Sequence, residues 1–168
     1  MTTDLGVREA TTDDVEAIQW VARRVWHEIY DFIDEDAVEE LLAQGYSAEF
    51  LEAAIERPEL TLFVAERGAE DDSEVVGYAS CEPPGEDGVG EVSVYVHPDW
   101  WRKGIGTALL DRAEAFLRGQ GAAAVEDAVL AKNTVGNAFY ADRYDRIAET
   151  TVDFGGTEYE SNVYRREL

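Results

Sequence analysis

Apolar and polar positions divide the chain into helical and extended segments before any motif is considered. Val15, Ile18, Val21, Ala22 and Val25 recur at three- and four-residue spacing and predict a helix with one apolar face. Thr11-Thr12-Asp13-Asp14 precedes it with hydroxyl and carboxylate caps. Its end, Trp26 to Phe32, is unusually aromatic. A second helical region is expected over Asp36–Ala43. Gly45 breaks it, and Ser47 caps a further turn through Phe50, Leu51, Ala54 and Ile55, which Pro58 ends. Strands follow. Leu60–Glu66 and Glu74–Glu82 read as a hairpin joined by an acidic turn from Gly68 to Ser73. Beyond the Pro83–Gly88 loop, Val92, Val94 and Val96 alternate with Ser93 and Tyr95 until Pro98 and Asp99 stop the strand. Ile105, Leu109, Ala113 and Phe116 return to helical spacing, ending near Gly119 and Gly121. Ala122–Leu130 is a further strand, and Asn133–Asp142 is a helix capped by Asn133 or Thr134. Arg143–Phe154 and Glu158–Arg166 pair across Gly155-Gly156. With Leu5–Glu9 as a first strand, this order predicts an α/β (α+β) fold. Its sheet is mixed, mostly antiparallel and twisted, with about seven strands flanked by about four helices. No repeat or linker interrupts it, so residues 1–168 are expected to form a single domain.

Charge changes this picture more than composition does. Thirty-seven acidic residues stand against fourteen Lys plus Arg, a net charge of −23. Only Lys103 and Lys132 are lysines, and the acids are spread along the whole chain. Such a field disfavours nucleic acid and anionic membrane as partners. Two explanations remain: a basic substrate drawn in by the field, or adaptation to a cytoplasm of very high salt. Even spreading and scarce lysine favour the second. The fold is then expected to be lost at low salt, which thermal melts across a KCl series test. A melting temperature independent of salt would return the acidity to substrate attraction. The single cysteine, Cys81, rules out an internal disulfide and reads as a small core residue. The chain's start has no basic n-region or apolar run, and no stretch has the length of a membrane span. A soluble, cytoplasmic protein is expected. Two isolated histidines, His27 and His97, make no metal cluster.

The candidate chemistry centres on Glu91 to Phe116. A strand, a basic Gly turn (Arg102-Lys103-Gly104-Ile105-Gly106-Thr107) and a helix start follow one another there. The first helical N–H groups lack intrahelical partners, the macrodipole favours negative charge, and glycine lets a phosphate approach closely. The plainer alternative is a strand-to-helix connection that happens to contain glycine. The turn is not a dinucleotide fingerprint, because Leu109 occupies the third glycine's place, and Lys103 precedes its glycine where a Walker loop needs it after. One of only two lysines stands here beside Arg102, in a chain that avoids positive charge.

The run V-S-V-Y-V-H-P-D-W-W-R-K-G-I-G-T-A-L-L resembles the acetyl-CoA-binding signature of the GNAT superfamily of acyl-CoA-dependent N-acyltransferases, R/Q-x-x-G-x-G/A after a strand. Gly104 and Gly106 fall where the pattern requires, while Trp101 replaces the usual Arg or Gln. A second stretch, Asn133 to Tyr140, is similar to the family's later N-x-x-A/G-x-x-F/Y-Y helix. The family often continues to a Gly-Phe pair, but Ala141-Asp142-Arg143-Tyr144 has no glycine. The resemblance covers essentially the whole chain. On physical grounds alone Asn133 reads as a helix cap and Tyr140 as a core aromatic.

The resemblance implies acetyl transfer from acetyl-CoA to a primary amine, a small molecule or a protein or peptide N-terminus, by direct attack in a ternary complex without a metal. It implies that Val94, Tyr95 and Val96 hold the acetyl carbonyl and pantetheine arm through their backbones. Arg102, Lys103, Gly104, Ile105, Gly106 and Thr107 would hold the pyrophosphate, and Asn133 and Asn137 would face the cofactor. Tyr140 would protonate the departing thiolate. Glu91 is the candidate general base, acting through water, against the alternative of a solvated carboxylate. The acceptor would meet Trp26, Glu28, Tyr30 and Phe32, an aromatic-acidic wall suited to a cationic amine. The bland alternative there is that Trp26, Ile29 and Ile33 form the helix's apolar face. Family members often dimerise, so a homodimer is allowed. A non-catalytic acyl-CoA-binding or partner-binding module on the same fold is the competing reading.

Overall fold

The computed structural model describes residues 5–57, 61–68 and 73–168. Pro58, the first residue of the predicted Leu60–Glu66 strand and most of the acidic turn lie outside them. The strands are β1 (Leu5–Glu9), β2 (Thr61–Arg67), β3 (Glu74–Glu82), β4 (Val89–Val96), β5 (Ala124–Leu130), β6 (Asp145–Phe154) and β7 (Thr157–Glu167). The helices are α1 (Val15–Ile29), α2 (Glu35–Gly45), α3 (Ala48–Glu56), α4 (Ile105–Gly119) and α5 (Thr134–Ala141). Among the described residues five α-helices stand where about four were expected. The chain leaves helical geometry at Tyr46, and the Ser47 hydroxyl accepts from Phe50 N at 3.1 Å to start α3 afresh.

The strands form one mixed sheet in the order β1-β2-β3-β4-β5-β7-β6. Every neighbouring pair is antiparallel except β4 with β5. Two apolar clusters cover its faces. One gathers Ile18, Val21 and Val25 of α1, Val38 and Leu42 of α2, and Leu51 of α3 with Val64 and Tyr78. The other gathers Ile105, Leu109, Ala113 and Leu117 of α4 with Phe63, Val76, Cys81 and Val92. Helices on both sides explain why β2 and β3 carry near-continuous buried runs instead of clean alternation. Buried Glu114 of α4 accepts from Tyr144 Oη at 2.8 Å and from Arg166 Nη1 at 2.9 Å, fastening α4 to β7. Tyr144 thus anchors the entry to β6 that lacks the family's glycine.

One feature of the sheet sets up the site. β4 pairs with β3 as far as Val96, yet with β5 only over Val89–Glu91 against Ala124–Glu126. β5 meanwhile keeps pairing with β7 to Leu130. Beyond Glu91 the sheet therefore opens, and a gap separates β4 from β5.

Candidate active site

The gap in the sheet is the centre of a cleft of about 970 Å³. Val94, Tyr95 and Val96 form one wall; Asp127, Ala128 and Val129 of β5 form another. Its ends are made by the first turn of α4, by α5, and by Val25, Ile29 and Tyr30.

Backbone register decides what β4 offers. His97 N donates to Val76 O at 2.8 Å, and Tyr95 is opposite Tyr78 in the same register. Bonding alternates along an antiparallel pair, so Tyr95 spends its N–H and C=O on β3 while Val94 and Val96 aim theirs into the gap. The Trp101 indole Nε1 donates to Val96 O at 2.7 Å. This gives a structural place to the residue that departs from the signature: it ties the loop back onto the strand end. The Val94 N–H and C=O and the Val96 N–H remain for a ligand. Tyr95 also lines the cleft, and its ring stacks on Tyr78 with centroids 5.0 Å apart.

At the other end, α4 begins immediately after Gly104, whose φ is +82°. Arg102 also has positive φ, +62°, a conformation that costs a non-glycine residue about 1 kcal/mol. The first intrahelical bond is Ala108 N to Gly104 O at 3.1 Å, so the N–H groups of Ile105, Gly106 and Thr107 have no helical partner. Gly106 is needed for packing: a Cβ there would come within 3.1 Å of the Phe139 ring on α5. Arg102, Gly104, Ile105, Gly106 and Thr107 line the cleft; the exposed Lys103 does not. A basic group absent from the sequence expectation is present instead. Arg143 lies over the Phe139 ring at 4.4 Å and donates to Thr107 Oγ1 and Phe139 O, both at 2.7 Å. A basic residue just past the Tyr140 helix, in a chain so poor in bases, was a signal that could have marked it.

Helix α5 carries the two motif residues. Asn133 caps it, with Oδ1 accepting from Gly136 N at 2.8 Å, and its Nδ2 donates to Tyr30 Oη at 3.2 Å. Tyr140 is packed among Phe139, Tyr144 and Tyr164. Its hydroxyl is buried and makes no hydrogen bond of good geometry; the acceptor nearest to acting on it is the Asp127 carboxylate. Burial and the nearby Asp127 hold the phenol well above its ordinary pKa, so it stays protonated at neutral pH. Burial likewise pushes Tyr30 up to about 12.

Asn137 requires a correction. Its Nδ2 donates to Asn133 O at 2.7 Å and Leu130 O at 2.9 Å, and its Oδ1 accepts from Asn162 Nδ2 at 2.8 Å and Tyr164 Oη at 2.6 Å. Its capacity is spent tying α5 to β5 and β7, and it does not line the cleft. Glu91 also falls outside the lining. It sits beside Glu82 and Glu126 across β3 and β5, and the Glu82 carboxylate is the main cause of its raised pKa. Of the four acceptor candidates only Tyr30 lines the cleft. Trp26 is core, Glu28 is exposed on α1, and Phe32 packs edge-on against Tyr30 and Tyr159. The helical spacing that put these aromatics on one face buried most of that face.

One carboxyl that sequence reasoning passed over does line the cleft. Asp127 is held up to about 7, chiefly by burial, against the pull of the Tyr140 and Ser93 hydroxyls and the Ala128 N–H. Among thirty-seven acids nothing in the sequence distinguishes it. Among the described residues, no His/Cys/Asp/Glu group able to hold a metal occurs, and no helix is long and apolar enough to cross a membrane.

A model of the acetyltransferase (GNAT) family matches residues 26–143. The chain belongs to that family. It is an acyltransferase of GNAT type. A spermidine N(1)-acetyltransferase from Thermoplasma acidophilum is 28% identical over 145 residues, 86% of this chain and 89% of that protein. The crystal structure of PaiA N-acetyltransferase from the same organism, in complex with coenzyme A, has a TM-score of 0.78 at 23% identity, covering 98% of this chain and 99% of that one. A ribosomal-protein-alanine N-acetyltransferase from Brucella melitensis has a TM-score of 0.63 at 21% identity, covering 97% and 99%. These likenesses bear out the mixed α/β fold. The cleft of this GNAT chain suits coenzyme A chemically: unpaired backbone groups on β4, free N–H groups at α4, Arg102 and Arg143 beside them, and an orphaned phenol within.

Proposed function

We propose that the protein transfers the acetyl group of acetyl-CoA to a primary amine by direct attack within a ternary complex. The observation that carries this reading is the unpartnered Tyr140 hydroxyl in a cleft that also holds the open edge of β4 and the start of α4. The first turn of α4, with Arg102 and Arg143, binds the diphosphate, and Lys103 adds charge from the rim. The Val94 and Val96 backbone holds the pantetheine arm and the acetyl carbonyl. Asn133 orders the α5 start and Tyr30. Tyr140 protonates the leaving thiolate.

A small cationic amine is the favoured acceptor. The β6–β7 hairpin packs onto the α1–α2 end, with Phe154 against Trp26, Tyr159 against Phe32, and Gly155 so close to Ala37 that a Cβ would lie 2.9 Å away. We take that contact to leave less room beside α1 for an extended peptide than for a small amine. The negative field draws cations, and a polyamine acetyltransferase is among the relatives. We place the protein in a salt-rich cytoplasm, where its acidic surface stays hydrated.

An acceptor screen at molar KCl, reading free CoA thiol, tests the function. Polyamines and other small primary amines are expected to release CoA, faster than peptides with a free N-terminus. Thermal stabilisation by acetyl-CoA with no thiol release from any amine would refute catalysis and leave a non-catalytic acyl-CoA-binding module.

A further inference from the structure

Asp127 has hydroxyl and amide neighbours but, among the described residues, no cationic partner. It lies on β5 just past the last residue paired with β4, and it lines the cleft with Tyr30, Tyr95 and Tyr140. The groups that act on it are Ser93, Tyr95 and Glu91 of β4, Tyr140 of α5, Tyr144 beyond it, Tyr30 after α1, and its neighbour's N–H at Ala128. None is a cation. Among the described residues no Lys, Arg or His nitrogen makes an ion pair with it, whereas buried Asp14 and Glu114 are paired with Arg8 and Arg166. A desolvated carboxylate without a cation is unfavourable unless it takes a proton or a cation arrives. Three tyrosine rings around the position suit an ammonium group.

We propose that Asp127 receives the acceptor's ammonium group and removes its proton before the nitrogen attacks. This rests on the acetyl-transfer reading and assigns the base that Glu91 does not provide from outside the cleft. The ammonium N–H bond breaks to the Asp127 carboxylate, giving the carboxylic acid and a neutral amine. The nitrogen lone pair forms the C–N bond to the acetyl carbon as the C–S bond breaks. Of the two protons the nitrogen gives up, one returns to solvent through Asp127. The other leaves the nitrogen once the C–N bond has formed and, by way of solvent, restores the Tyr140 phenol that has given its proton to sulfur. A carboxyl held near neutrality is matched to this work. Because its pKa is raised, the base is competent above about 7 and is lost as pH falls below it.

Asp127→Asn, a near-isosteric change, tests this with spermidine as probe. At pH 7 its kcat/KM should fall about 10²-fold. The pH profile should lose its rise through about 7 and track the amine's own ionisation near ~10. Methoxyamine, already neutral at pH 7, should lose less than about threefold, since no proton need be removed first. In calorimetry, spermidine affinity for the CoA-loaded protein should weaken by about tenfold. A wild-type pH profile with unchanged spermidine affinity would overturn the proposal. So would equal losses for spermidine and methoxyamine, which would make Asp127 a positioning group for Tyr140. If the wild type turns over no amine, the acetyl-transfer reading falls by itself. Spermidine binding by the CoA-loaded protein then still decides Asp127: no binding, or binding unaffected by Asp127→Asn, overturns its role.

Discussion

Tyr140→Phe lowers kcat by about 10³-fold, within the range for loss of a positioned general acid, and leaves CoA affinity nearly unchanged. The phenol ring is held by contacts with Phe139, Tyr144 and Tyr164, with centroids 5.1, 5.0 and 5.5 Å away, and phenylalanine keeps all three. The hydroxyl takes part in none of them and is buried without a hydrogen bond of good geometry, beside Asp127. An unsatisfied buried hydroxyl costs about 1–3 kcal/mol, so its removal leaves the melting temperature unchanged or raises it. A group that is a burden to the fold and useful only when a thiolate develops beside it should show this split. The raised pKa adds a sign: the acid stays protonated throughout the working pH range, so wild-type rates show no alkaline fall from its ionisation. Steady-state kinetics with a CoA titration check the pair of effects. A variant within about threefold of wild-type kcat would remove Tyr140 from the chemistry.

The second large effect concerns stability. Asn137→Ala destabilises the protein by about 3 kcal/mol, because one side chain makes four good hydrogen bonds to groups on three elements. Removing it leaves the Tyr164 hydroxyl and the Asn162 amide without their partner. For a domain of this size the melting temperature falls by about 10 °C. CoA affinity, measured well below that temperature, changes little, because the side chain is turned away from the cleft. The family resemblance alone predicts the opposite: a stable protein with weakened CoA binding. Calorimetric melting and a CoA titration on the same sample separate the two, and a tenfold affinity loss at full stability would restore Asn137 to the cofactor site.

Asn137 shows where reading from sequence runs out. A motif places a residue type at a spacing, and spacing fixes which helix carries it. Whether the amide meets a ligand or its own sheet depends on Asn162 and Tyr164, twenty-five and twenty-seven positions away. Trp26 and Phe32 miscarried for a related reason. Their spacing correctly gave an apolar helix face, but helical periodicity does not say whether that face meets a cavity or a hairpin. Trp101 is the converse: a departure from a pattern whose compensation, a bond to the Val96 carbonyl, is invisible along the chain.

By itself the sequence determined the elements and the family. Period-two spacing marked β4 and helical spacing the faces of α1 and α4, since burial on one side is written locally, while turn residues bounded the other strands. The glycines at 104 and 106 and the Asn133–Tyr140 helix were legible because a tight turn and a helix start restrict residue types over a few positions. Only the tertiary structure decided where β4 leaves β5, which amides of β4 remain unpaired, and that Asp127 stands in the cleft without a cation. Each of these depends on groups brought together from distant parts of the chain. A carboxyl's proton affinity is set by that company and not by its place in the sequence.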